Sequence, residues 1–219
     1  MVRPIVLASS SPRRRELFAL LGLPFQAVDP QVDEAPLEGE NPKSTALRLA
    51  FAKAQEAAMS HPEAIIVAAD TLVILGDKIL GKPGDGDEAL AILEALRGKK
   101  HRVISGVIVL DAATGEKREE VADTQVWMRD YSEKEIARYI GRGEPFDKAG
   151  GYAIQDNEFR PVARVKGCYA NVMGLPLCHL YKALKRVGVN PPATPLEACM
   201  GFTGHECMVT RRILGYPGR

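Results

Sequence analysis

Val6-Leu-Ala-Ser-Ser-Ser-Pro-Arg-Arg-Arg-Glu-Leu17 changes character in its middle. Pro4 to Ala8 is short and apolar and reads as a buried strand. Ser9 to Ser11 leave it, and Pro12 suits the first turn of a helix running to about Leu21, where a missing amide proton costs nothing. Gly22 ends that helix. A strand feeding directly into a helix sets the pattern for the chain.

Working outward, Phe25 to Val28 reads as a second short strand, and Asp29 to Asn41 as an acidic, turn-rich loop centred on Asp33-Glu34. Thr45 to Ser60 is an alanine-rich helix capped by Asn41 or Ser44. Ile65 to Ala69 is a continuous apolar strand ending at Asp70-Thr71. Leu80-Gly-Lys-Pro83 belongs to a loop or hairpin, and Asp87 to Leu96 is a helix closed by Gly98. His101 to Leu110 and Glu119 to Met128 pair around the turn Ala113-Thr-Gly115. Ser132 to Ile140 opens with a capping box, Ser132 with Glu135. Gly141 to Ala149 is a polar loop. Tyr152 to Gln155, Pro161 to Lys166 and a helix from Pro176 to Val187 complete the body. Intermixed helices and strands indicate an α/β fold, and the hairpin over 101–128 makes the sheet mixed. Residues 1–188 form the expected domain. Residues 189–219 follow the stiff segment Asn190-Pro-Pro-Ala-Thr-Pro195 and read as an extension whose role the sequence leaves open.

The 219 residues are 46% hydrophobic, enough for a substantial core, and carry a formal charge of +1. That balance speaks against a general nucleic-acid binder, so any anion site must be local. No apolar run reaches membrane-spanning length and no secretory signal core is visible, so a cytoplasmic setting is expected. The four cysteines, Cys168, Cys178, Cys199 and Cys207, lie in the last third without a close pair and are expected as reduced thiols. Cys199, His205 and Cys207 lack standard zinc spacing.

The chemistry collects in a few places. Hydroxyls and amides at a helix start bind oxygen anions, and arginine adds a rigid donor fork, which selects Ser9, Ser11, Arg13 and Arg14. Arg15 points elsewhere, since adjacent helix positions do not share a face. Asp70, ending an apolar strand, is expected at the rim of the sheet, as a proton acceptor or a metal ligand. Thr71 would face opposite to it. Lys82 can neutralise a phosphate, and Lys53 is either a pocket amine or a lysine snorkelling to solvent. Glu34 could share a magnesium ion with Asp70. Gly150-Gly151 allows positive φ, and the Gln155 amide can both donate and accept, which suits a nucleobase edge.

Taken in order, Leu7 to Leu17, Asp33-Glu34, Ala52-Lys-Ala54, Ala68-Ala-Asp-Thr-Leu-Val73, Leu80-Gly-Lys-Pro83, His101-Arg-Val103, Glu144-Pro-Phe-Asp-Lys-Ala-Gly-Gly-Tyr-Ala-Ile-Gln155 and Asn171-Val-Met-Gly-Leu-Pro176 resemble the Maf family of nucleoside triphosphate pyrophosphatases, over about residues 3 to 188. The resemblance implies an inosine-triphosphatase-like fold: a long mixed sheet with flanking helices, in two lobes around a central cleft. It also implies a cytoplasmic, often dimeric enzyme that depends on a divalent cation, Mg²⁺ or Mn²⁺, and cleaves between the α and β phosphates. Gly150 to Gln155 and Tyr169 to Pro176 look like the dTTP/UTP branch rather than the 7-methyl-GTP branch. In that branch the position of Asp70 is the proton acceptor, and those of Arg13, Thr71 and Gln155 are linked to base preference. Ser9, Arg14, Glu34, Lys53 and Lys82 match other pocket positions. The family ordinarily stops near Val187, so the tail falls outside the match.

Overall fold

The computed structural model describes residues 3–35 and 37–215. Seven strands form one mixed sheet: β1 (Ile5–Ala8), β2 (Gln26–Val28), β3 (Ile65–Leu75), β4 (Lys78–Leu80), β5 (Lys100–Asp111), β6 (Lys117–Met128) and β7 (Val162–Lys166). The order is β2-β1-β3-β5-β6-β7, with β4 added on β3. β1 runs parallel to β2 and β3, whereas every other pairing is antiparallel. The expected α/β fold with a mixed sheet is therefore observed.

Strand alternation divides the core between the two faces of the sheet. Ile5, Leu7, Ile65, Val67, Val107 and Val109 pack against the helices α1 (Pro12–Ala19), α5 (Tyr169–Met173) and α6 (Leu177–Arg186). Their neighbours Val6, Ala8, Ile66, Ala68 and Ile108 pack against the alanine face of α2 (Pro42–Ser60) through Ala50, Ala54 and Ala57. A separate cluster at the far end of β3, β5 and β6 joins Val73, Val103 and Val126 to α3 (Gly86–Leu96) and α4 (Glu133–Gly141). Two cores strung along the same long strands make the two lobes.

Gly106 on β5 explains how closely α2 approaches. A Cβ there would lie 2.5 Å from the backbone oxygen of Ala46 on α2. Only glycine lets the helix settle that deep, and a side chain would have to lift it at a cost of about 1–3 kcal/mol.

Several boundaries match the reading: Asn41 accepts from Lys43 and Ser44 at the start of α2, and the Ser132–Glu135 capping box is present. Three features differ. β3 does not stop at Ala69 but runs to Leu75, because β5 pairs with it from Ile65 through Ile74. Asp70 is accordingly in mid-strand, opposite Gly106, and not at a strand end. Tyr152 to Gln155 is irregular. The tail beyond Val187 holds two helices, α7 (Pro195–Thr203) and α8 (Thr210–Leu214). It packs onto the body: Cys199 and Val209 join the core of the first lobe, and the Ala193 amide donates to the Leu21 carbonyl. The outermost residues of both expected regions, 1–2 and 216–219, lie outside the described residues.

Candidate active site

The pairing of β3 creates an opening. On one edge of β3, β1 pairs with Ile65 to Ala68 and β4 with Val73 to Leu75, which leaves Ala69 to Leu72 without a strand partner on that side among the described residues. Asp70 and Thr71 occupy this gap, which explains how two residues pointing to opposite faces line the same cleft. The cleft has a volume of about 460 Å³ and continues into a pocket of about 220 Å³ under Ser9 to Pro12. The gap begins just past the carboxyl end of β1, the end of a parallel strand at which ligands sit in open α/β sheets.

On the α2 face, Lys53 is buried and its Nζ donates to Asp70 Oδ1 at 2.6 Å and contacts Glu34 Oε1 at 2.5 Å. It is thus a pocket amine. Asp70 is equally buried, while the Glu34 side chain is half exposed at the cleft mouth. Burial pushes the Glu34 carboxyl up, but its hydrogen bond to Lys53 and the charges of Lys53, Lys82 and Arg14 outweigh that, so it sits below its usual range. Removing one partner of a buried pair such as Lys53–Asp70 costs about 3–5 kcal/mol.

On the other face, Arg14 reaches in from α1. Its Nε donates to the Gly174 carbonyl at 2.9 Å and its terminal nitrogens to Thr71 Oγ1 at 3.2 Å and Ser9 Oγ at 3.5 Å. Desolvation lowers its pKa, against the raising influence of Asp70 and Glu34. Thr71 Oγ1 also lies 2.8 Å from Ser105 Oγ. Arg13 instead crosses the cleft to Asp147 Oδ2, 2.9 Å away. Lys82 is exposed at the rim and lines both compartments. Arg15 is exposed and does not line the cleft.

Gln155 lines the opposite wall with Tyr152, Ala153, Ile154, Val172 and Met173. Its Oε1 is buried and has no hydrogen-bond partner among the described residues. A buried acceptor left unpaired costs about 1–3 kcal/mol, which a ligand donor would recover. Gly150 and Gly151 adopt φ 71° and 66°, as their sequence suggested, and fold this segment against Val73 and Pro83.

All of Ser9, Arg13, Arg14, Glu34, Lys53, Asp70, Thr71, Lys82 and Gln155 are therefore brought to one connected cleft. The sequence reading missed Asp147, which holds Arg13, Ser105, which holds Thr71, and the Gly174 carbonyl, which seats Arg14. Asp147 stands beside Lys148 in a charged loop, a signal that was present. Nothing local marks Ser105, a small residue within an apolar strand.

Asp70 and Glu34 fit a hard divalent cation as far as the donor set goes. Both carboxylates touch the single Lys53 nitrogen, so they converge on one positive centre. Two carboxylates with phosphate oxygens and water complete the kind of shell that Mg²⁺ takes. Among the described residues, no group of three or more His, Cys, Asp or Glu side chains is arranged to hold a metal by itself.

An open mixed sheet with a charged cleft at a gap in the pairing of its long strand β3 defines the chain as an α/β protein of the open-sheet class. The chain matches the model of the Maf-like protein family over residues 4–187, and it belongs to that family. It is 45% identical over 207 residues to a dTTP/UTP pyrophosphatase of Thermomicrobium roseum, covering 93% of this chain and 92% of that one. That alignment spans too much of the chain to stop at Val187 and must enter the tail. Proteins of the same name from Pelotomaculum thermopropionicum and Dictyoglomus thermophilum are 43% and 42% identical, each covering 86% of this chain and 99% and 98% of their own. No helix among the described residues is long and apolar enough to cross a membrane.

Proposed function

We propose that this chain is a nucleoside triphosphate pyrophosphatase acting on dTTP and UTP, releasing the nucleoside monophosphate and pyrophosphate. The observation that carries this reading is the division of one cleft: Arg14, Lys53, Lys82 and Asp70 at one side, and an unpaired Gln155 amide in an apolar setting at the other. The names of its relatives agree with it.

The chain's own groups account for the steps. Ser9, Arg14, Lys53 and Lys82 receive the triphosphate and offset the charge that moves onto the leaving pyrophosphate. Asp70 orients a water and takes its proton as the water attacks the α-phosphorus. For that, Lys53 shifts its donors from Asp70 towards phosphate, while Glu34 keeps it in place. A divalent cation, Mg²⁺ or Mn²⁺, held by Asp70 and Glu34 when bound, would neutralise phosphate oxygens and polarise the α-phosphorus. Gln155 accepts from the imide N3–H of thymine or uracil through Oε1 and donates to a ring carbonyl through Nε2. Thr71 and Arg13 shape the approach, and Arg13 must part from Asp147 for a substrate to use it.

The test is pyrophosphate release from a panel of dTTP, UTP, purine triphosphates and 7-methyl-GTP with Mg²⁺ or Mn²⁺. Preference for dTTP and UTP is expected. Preference for 7-methyl-GTP would move the chain to the other branch of the family, and binding without release would make it a noncatalytic nucleotide binder.

A further inference from the structure

The C-terminal tail carries chemistry that the cleft does not use. All four cysteines of the chain line one cavity of about 1100 Å³ between β7, α6 and the tail. Two come from the body, Cys168 before α5 and Cys178 in the first turn of α6. Two come from the tail, Cys199 on α7 and Cys207 in the segment joining α7 to α8. All four are free thiols.

The four are not equivalent. The buried Thr210 hydroxyl lies 3.3 Å from Cys178 Sγ and 2.8 Å from Cys207 Sγ. The two sulfurs can be no farther apart than the sum of those distances. Cys168 and Cys199 sit in the apolar core of the first lobe and do not contact the Thr210 hydroxyl that Cys178 and Cys207 share. Cys207 is partly exposed, in an irregular segment with room to adjust, whereas Cys178 is buried on a regular helix. One thiol is reachable from solvent and its neighbour is sheltered.

We propose that Cys178 and Cys207 form a thiol–disulfide modification site that fastens the tail to α6. The oxidant is a low-molecular-weight disulfide. The Cys207 thiolate attacks one of its sulfurs, forming a mixed disulfide and expelling one small thiolate. Cys178 then loses its proton and attacks Cys207 Sγ, expelling the second small thiolate. The two protein thiols are oxidised by two electrons, the small disulfide is reduced to two thiols, and the two protons end on those thiols. Burial pushes the Cys178 thiol up to about 11, which keeps it protonated and slow to react by itself, so its attack depends on the mixed disulfide being held next to it.

The bond would tie residue 178 to residue 207 and close the tail onto the first lobe. His205, stacked on Tyr169 with ring centroids 4.1 Å apart, already holds the same segment against α5. The inference is independent of the pyrophosphatase reading, since neither cysteine lines the cleft.

The experiment treats the full folded chain with glutathione disulfide, blocks remaining thiols with iodoacetamide, and maps peptides by mass. A Cys178–Cys207 linked peptide is expected, with Cys168 and Cys199 alkylated only after unfolding, and dithiothreitol should reverse it. The melting temperature should rise by about 5 °C, as the closed loop restricts the unfolded chain. Cys178→Ser should stall at a glutathione adduct on Cys207, Cys207→Ser should leave Cys178 unmodified, and Cys168→Ala should still form the bond. Any of three results would overturn the proposal: four thiols untouched in the folded chain, a linkage between a different pair or between two chains, or zinc taken up by the thiolates in place of oxidation.

Discussion

The two walls of the cleft are built on opposite principles. The wall formed by β3, α1 and α2 buries charge: Lys53 and Asp70 are both sheltered, and Arg14 is held by a carbonyl and two hydroxyls. The wall from Tyr152 to Gln155 and Val172 to Gly174 is neutral, and among the described residues its buried side-chain atom left without a partner is the Gln155 amide oxygen. Buried charge is costly and is kept where a reaction polarises its surroundings. An uncharged wall with a single unsatisfied acceptor suits recognition, because it rewards one donor and penalises ligands that lack it.

The largest expected effect breaks the charged wall. Asp70→Asn keeps the shape and leaves Lys53 paired with Glu34, but it removes the group proposed as proton acceptor and cation ligand. Pyrophosphate release from dTTP should fall about 10³-fold, with the melting temperature measured alongside to verify the fold. Near-normal turnover would mean that the charged wall only binds.

The charged wall was also the more legible of the two. Ser-Ser-Ser-Pro-Arg-Arg offers hydroxyls, amides and guanidiniums at a helix start, a pattern equally open to an anion seat or a solvated basic helix face, and its place in the cleft came from the fold. Lys53 amid alanines was ambiguous by itself, because period 3.6 gives a face but not what covers it; the depth of α2, set by Gly106 beneath Ala46, decided for the pocket. Asp70 was placed in the right cleft for the wrong local reason. An apolar run ending in Asp-Thr looks like a strand end, whereas here β5 carries the strand on and the neighbours on the other edge leave the gap. Such a gap depends on pairings between distant segments and has no local signature. The tail helices were missed because short, glycine-rich segments show too few turns for periodicity to register.

A middle-sized effect tests the neutral wall. Gln155→Leu has similar volume and removes the unpaired acceptor, so the fold should be unharmed or slightly stabilised. kcat/KM for dTTP and UTP should drop about 10- to 100-fold, the worth of one or two buried hydrogen bonds, while the residual rate with other triphosphates changes less. A uniform drop across all nucleotides would show that Gln155 supports the cleft without reading the base.

The smallest effect asks whether the neutral wall is kept neutral from behind. His101 is buried, its Nε2 lies 2.7 Å from the Tyr152 hydroxyl, and its Nδ1 has no partner among the described residues. Desolvation lowers its pKa from 6.5 to about 4. Between those values the unfolded chain binds a proton that the folded chain refuses, so the contribution of His101 is fully present above about 6.5 and is lost as pH falls towards 4. At pH 5.5 the loss amounts to about 1 kcal/mol. Urea unfolding at pH 7.5 and 5.5 should show the native chain losing that much more than His101→Gln, whose amide can still reach Tyr152 and does not titrate. Equal losses in the two proteins would mean that a proton is accommodated behind Tyr152, and the contrast between a charged and an uncharged wall would then hold only above neutral pH.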